Sequence, residues 1–164
     1  FIQSLPVDPK NPVELRRPEL RPFQNINLKT AGSKLSLHQR LQIEERFFRR
    51  NKNFELTDGY DYAWRFRYRM MVKVPLFNIK QTDIGLNLSE EVFINAGEDI
   101  IYNVFDQNRV YGGLSVNIRD RFGIKAGYLY WFQQLSTGHD YLHHHILDLA
   151  LIYTLDFTRT ENGN

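Results

Sequence analysis

The sequence predicts an all-β fold: an antiparallel up-and-down transmembrane β-barrel, with about seven strands in this chain. The first ground is residues 60–76, which alternate almost without a break. Tyr60, Tyr62, Trp64, Phe66, Tyr68, Met70, Val72, Val74 and Leu76 hold one phase, and Asp61, Ala63, Arg65, Arg67, Arg69, Met71, Lys73 and Pro75 the other. Strand side chains point to opposite faces with period two, so one face is apolar and the other cationic. The run exceeds the roughly five or six residues usual in soluble sheets and the roughly nine to eleven that cross a bilayer at a tilt. The second ground is that other segments share this length and period. The third is a regular alternation of short and long connections.

Taken in order, residues 1–18 are Pro-rich and broken (SLPVDPKNPVELRRP) and read as an irregular segment or outer loop. The first strand, 19–28, is the weakest and carries Pro22. The second, 34–49, sets Leu35, Leu37, Leu41, Ile43 and Phe47 against Ser36, His38, Arg40, Gln42, Glu44 and Arg46. Leu37, Leu41 and Glu44/Glu45 also fall at helical spacings. The strand reading is preferred because the companion segments share this length and period and are rich in Tyr, Val, Ile and Phe. The third strand is 60–76. The fourth, 83–95, puts Ile84, Leu86, Leu88, Val92 and Ile94 on its apolar side. The fifth, 105–118, sets Val110, Leu114, Val116 and Ile118 against Gln107, Arg109, Tyr111, Ser115 and Asn117. The sixth, 122–135, turns Phe122, Ile124, Ala126, Tyr128, Tyr130 and Phe132 one way. The seventh, 143–157, does the same with Leu147, Leu149, Leu151, Tyr153, Leu155 and Phe157. Barrel strands thus occupy 19–158, and 159–164 form a C-terminal periplasmic tail.

The 164 residues make one domain. A net charge of +2 gives no sign of nucleic-acid binding. No stretch approaches the roughly eighteen apolar residues of a membrane helix, but a barrel turns only alternate residues to lipid, and hydropathy averaging hides them. Cysteine is absent, so disulfides and thiolate metal sites are excluded. The start at Phe1 is expected of a processed or truncated product.

Connections at 30–33, 78–82 and 119–121 are short, and those at 51–59, 96–104 and 136–142 longer and more polar. Bacterial outer-membrane barrels have tight periplasmic turns and longer outer loops. The long connections are therefore expected outside the cell, with Phe157 a lipid-facing terminal aromatic. The first strand then runs inward and needs an outward predecessor, which only 1–7 could supply. Single-chain barrels carry even strand numbers, so upstream strands of a larger barrel, of about ten to twelve strands, are expected. The rival is a small eight-stranded barrel closed by the first few residues.

The segments LHQRLQIEERFF, WRFRYRMMVKVPL, EEVFIN, FDQNRVYGGLSV and HILDLALIYTLDF together resemble the DUF2490 proteins of Bacteroidetes and related bacteria. The shared motifs fall at 39–47, 65–69, 91–95 and 105–109, within a resemblance spanning about 20–157. FDQNR is the most specific of them, and His38-Gln39-Arg40 departs from the pattern by a shifted His. The resemblance implies an outer-membrane barrel with further upstream strands. It brings no catalytic residues and no cofactor.

Folding the third, fourth and fifth strands about their turns places Arg69 opposite Glu91 and Glu91 opposite Arg109. A lumenal ion-pair ladder is expected there, flanked by Arg65, Arg67, Glu44 and Gln107, with geometry suited to Arg–carboxylate pairing. Its plain reading is structural, because charges inside a narrow barrel must be paired. Its functional reading is an anion- or sugar-binding lumen. Tyr62, Trp64, Phe66, Tyr68, Val72, Leu149, Leu151 and Tyr153 are expected to face lipid, with Leu35, Leu37, Leu41 and Ile43. Tyr60, Tyr62, Trp64, Tyr128, Tyr130 and Phe132 read as an interfacial girdle before a carbohydrate platform.

His143, His144 and His145 alternate in direction along a strand and cannot converge on a metal. Ser136, His139 and Asp140 lie in one polar loop that reads as turn chemistry, with a hydrolase as the thin alternative. Gly112, Gly113 and Gly127 read as sites of curvature or close packing. The expectation is a non-enzymatic outer-membrane barrel, plugged, serving as a structural or partner component of an envelope assembly. Its partners would be the bilayer with its lipopolysaccharide and other outer-membrane proteins. Alternatives are a narrow channel or binder for small anionic or sugar solutes, an outer-membrane lipid hydrolase, and a soluble lipocalin-like barrel whose apolar faces point inward.

Overall fold

The computed structural model describes residues 2–3, 17–32, 34–52, 55–98, 100–119, 121–135 and 137–155. These form a single antiparallel sheet curled into a half-barrel, without helices. The strands are β1 (Ile2–Gln3), β2 (Pro18–Leu20), β3 (Phe23–Ala31), β4 (Ser36–Lys52), β5 (Glu55–Ile79), β6 (Thr82–Ala96), β7 (Phe105–Ile118), β8 (Phe122–Gln134) and β9 (Tyr141–Tyr153). Neighbours run in the order β1-β2-β4-β5-β6-β7-β8-β9, with β3 also paired to β4. The sheet is thus a meander, as an up-and-down reading requires.

The expected first strand appears as β2 and β3 in one continuous register on β4. Leu20 stands opposite Phe47 and Phe23 opposite Glu44. The break at Arg21 and Pro22 follows from proline's missing N–H; the Pro22 carbonyl still accepts a bond from the Glu45 amide at 3.0 Å. Outside β2, β1 pairs Ile2 with Glu19 and Gln3 with Pro18. No pairing of β1 or β3 with β9 closes the described sheet.

The predicted loop 51–59 is largely strand. Beyond the Arg49–Tyr60 pair the ladder continues, with Asn51 opposite Leu56 and Lys52 opposite Glu55. Ion pairs hold the arms of this extended hairpin, Arg49 to Asp58 at 2.8 Å and Arg50 to Asp61 at 2.9 Å. Gly59 takes the irregularity at φ 96°, which a side chain would resist. The described residues of the connections at 97–104 and 135–140 stay irregular, and Gly138 of one lies under Tyr102 of the other. β9 stops at Tyr153; Phe157, the tail 159–164 and most of 1–16 lie outside the described residues.

The two faces invert the arrangement of a soluble β-protein. The buried polar side chains are Glu19, Gln42, Glu44, Arg65, Glu91, Asn95, Asp106, Gln107 and Gln133, while the buried hydrophobic ones are Ala63 and Phe93. Outside, Ile26, Leu28, Leu41, Trp64, Phe66, Tyr68, Leu88, Val110, Leu114, Ile124 and Tyr128 are exposed. At the β9 edge, Leu147, Leu149, Leu151 and Tyr153 are also exposed. Tyr62 and Val72 share this outer face, half-buried by neighbours. Tyr62 meets Trp64 edge-on and Trp64 stacks on Phe66 along it, with centroids 5.6 and 6.4 Å apart. The apolar-inside arrangement of a lipocalin-like barrel is the reverse of this one.

Candidate functional site

Period-two alternation on β4–β8 delivers the family-like motifs to one concave surface. Three rows cross it. One passes through Asn27, Arg40, Arg69, Glu91, Arg109, Trp131 and His144. The next passes through Gln42, Arg67, Phe93, Gln107 and Gln133. The third begins Phe23, Glu44, Arg65, Asn95. The hairpin arithmetic therefore places Arg69, Glu91 and Arg109 opposite one another, as expected.

The expected ladder of ion pairs along that row does not form. Glu91 pairs instead with Arg40 at 2.6 Å and with Arg67 at 2.9 Å. Arg69 turns a terminal nitrogen toward the Met71 sulfur at 3.9 Å. Arg109 donates to Gln107 Oε1 at 3.0 Å and lies over the rings of Phe93 and Trp131, at 4.7 and 4.4 Å. The physical reason is reach. A guanidinium on a long stem reaches a carboxylate on the diagonal, as Arg67 does, or one strand further along the row, as Arg40 does, as well as one directly opposite, and the aromatic faces of Phe93 and Trp131 attract Arg109.

The ion pairs extend from there as a chain. Arg67 donates to Glu44 at 2.7 Å, which also accepts from Gln42 at 2.7 Å. Arg21 lies 3.7 Å from Glu44 and grips Glu19 through two nitrogens, at 2.8 and 2.6 Å. Arg46 holds Glu19 from the other side at 2.6 Å and covers the Phe48 ring at 4.5 Å. Glu19 and Glu44 are each 1% exposed, so both need these partners. Arg40 Nε, Arg67 Nε and Arg109 Nε are buried without an acceptor among the described residues.

Asp106 and Asn95 were not singled out in the sequence. The register slips between Phe93 and Ile94, whose partners are Gln107 and Phe105, so Asp106 is the extra residue of a bulge. The bulge turns Asp106 inward beside Gln107, where its carboxylate lies 2.8 Å from Arg65. Arg65 also donates to Asn95 Oδ1 at 3.0 Å, and Asn95 donates to the Asn103 carbonyl at 3.2 Å. The EEVFIN and FDQNR strings thus meet at one arginine. Their sequence signal was the clustering of Asp106 with Gln107 and Arg109, but period-two phase placed Asp106 on the wrong face.

Other candidates are separated. His143 and His145 face outward and are engaged by Tyr130 and Tyr128, the first at 2.6 Å. His144 faces inward against Trp131, with centroids 4.6 Å apart. Ser136 lies outside the described residues, while Asp140 closes a turn through the Leu135 amide and Thr137. Gly113 and Gly127 form a bed for Tyr111. A Cβ on Gly127 would stand 2.6 Å from Tyr111 Cζ, and one on Gly113 only 2.9 Å from the Ala126 carbonyl.

No curated protein and no solved structure matches the chain. The family model described as "Protein of unknown function (DUF2490)" matches residues 4–142. That span holds the ion-paired arginines and their acids and leaves the HILDLALIYTLDF segment outside it. The chain carrying this buried arginine–carboxylate network belongs to the DUF2490 family.

Proposed function

We propose that this chain forms part of the wall of a bacterial outer-membrane β-barrel, with its interior locked at one end by ion pairs. It serves as a structural or partner component of an envelope assembly, with lipid, lipopolysaccharide and neighbouring outer-membrane proteins as its surroundings. One observation carries the reading. The sheet exposes a continuous band of Leu, Ile, Phe and Tyr and buries Arg, Glu, Asn and Gln. Water rewards the opposite arrangement, whereas hydrocarbon favours this one. The interlinked Arg21, Arg40, Arg46, Arg65 and Arg67 support a filled lumen over the rows they occupy.

The two tryptophans make a direct test. Trp64 lies on the outer face and Trp131 on the inner, beneath Arg109. Single-tryptophan variants, Trp131→Phe and Trp64→Phe, are reconstituted in vesicles of lipid brominated along the acyl chains. Quenching of Trp64 with Trp131 spared is the expected result. Equal quenching, or quenching of Trp131 alone, would remove the basis for the reading.

A further inference from the structure

The inner face is divided in its use of charge. Glu19, Glu44, Glu91 and Asp106 are engaged by Arg21, Arg40, Arg46, Arg65 and Arg67, on the rows nearer the extended hairpin. Arg69, Lys73, Arg109 and Lys125 stand in no ion pair among the described residues. All four line one cavity of about 410 Å³, on the side of the tight turn at Lys80 and Gln81. They outnumber its carboxylates, Glu91 and Asp148, two to one, and Glu91 is already neutralised by Arg40 and Arg67. The Arg109 Nε is buried there without an acceptor among the described residues.

Neutral hydrogen-bonding groups complete the lining. Asn87 and Ser89 contribute an amide and a hydroxyl, and Tyr111 a hydroxyl that hydrogen-bonds Asp148. Asn87 is held in place by a bond to Ser115 Oγ at 3.1 Å. Gly113 and Gly127 leave room for the Tyr111 ring, which lies over them at the edge of the cavity.

We propose that this cavity binds a soluble phosphomonoester of sugar size. The excess positive charge matches a group of about two negative charges at neutral pH. Guanidinium forks and ammonium groups are the usual partners of phosphate oxygens. The volume lies within the roughly 300–1,000 Å³ of small-molecule sites, and the hydroxyls and amide suit a polyol. The ion-paired rows border the cavity on the side of the extended hairpin. The site rests on the barrel reading in one respect, that its face is walled off from lipid.

The test is calorimetric titration of the detergent-solubilised full chain with glucose 6-phosphate, glucose and dihexanoyl phosphatidic acid. Saturable binding of glucose 6-phosphate is expected, with glucose silent and the short lipid weaker. The Lys73→Ala/Lys125→Ala variant touches no ion pair, and its affinity should fall by about tenfold or more. Absence of saturable binding by about 10 mM glucose 6-phosphate at low salt would overturn the proposal, a limit below useful affinity. So would tighter binding of the lipid, equal binding of glucose, or an unchanged affinity in a folded double variant. If the variant does not fold, the wild-type comparison of the three probes decides alone. Tryptophan quenching reads the barrel separately, so either idea can fail without the other.

Discussion

Arg67 stands opposite Phe93 in the β5–β6 ladder, and its guanidinium lies 4.6 Å from that ring while its two terminal nitrogens reach Glu44 and Glu91 in neighbouring rows. Phe93 carries Arg109 as well, at 4.7 Å. A single buried ring therefore spaces two cations that would otherwise repel, and each can address a different partner.

Removing the acid that ties this arrangement to β4 should be felt. Glu91→Gln keeps the shape and deletes the charge shared by Arg40 and Arg67. Arg67 keeps Glu44 and Arg40 is partly exposed, so the loss should be about 2 kcal/mol, below the roughly 3–5 kcal/mol of a fully buried pair. Urea unfolding in lipid vesicles measures it. A loss under about 1 kcal/mol is that of a solvated pair and would mean an interior open to water.

The outer face makes the converse prediction. Phe66→Arg puts a cation among Trp64 and Tyr68 on the exposed apolar side. Near a bilayer midplane it should destabilise by about 2–4 kcal/mol. The same vesicle unfolding experiment measures it, and a penalty near zero would contradict lipid contact at that depth.

Gly127→Val should drive a side chain into Tyr111 and destabilise by about 1–3 kcal/mol, the range for overpacking. Combining it with Tyr111→Ala should recover part of that loss, because the collision is then gone. A double-mutant cycle reads the coupling, and strict additivity would show that the two residues do not meet.

Topology gives a fourth expectation. Epitope tags inserted at Glu98 or at Thr137, in the irregular connections, should be labelled on intact cells. A tag between Lys80 and Gln81, in the tight turn, should be labelled only after the outer membrane is opened. The reverse pattern would invert the proposed orientation.

What the sequence made legible was whatever depends on period two. The bounds of β7, the register that aligns Arg69, Glu91 and Arg109, and the outward phase of Trp64, Phe66 and Tyr68 all follow from alternation and turn position. Three features did not. The bulge at Asp106 is a one-residue backbone event with no compositional mark, and it reverses the phase used to assign faces. The choice of Arg40 over Arg69 as partner of Glu91 depends on how far long side chains lean, which spacing along a strand does not encode. The extension of β4 and β5 through 51–59 runs through polar residues that read as loop, yet Arg49 and Arg50 lace it together.

From β4 onward every ladder joins strands adjacent in the chain, so the sheet can grow as a zipper, each step closing only a short loop. Such growth always leaves one leading edge with unmatched amides and carbonyls. Among the described residues the free edges are Ile2–Gln3 with Phe23–Ala31 on one side and Tyr141–Tyr153 on the other. In the proposed barrel such an edge would face hydrocarbon unmatched, so there each edge needs a partner strand. The number of strands in a closed wall fixes its circumference, and with it the diameter of whatever the arginines enclose in the proposed barrel.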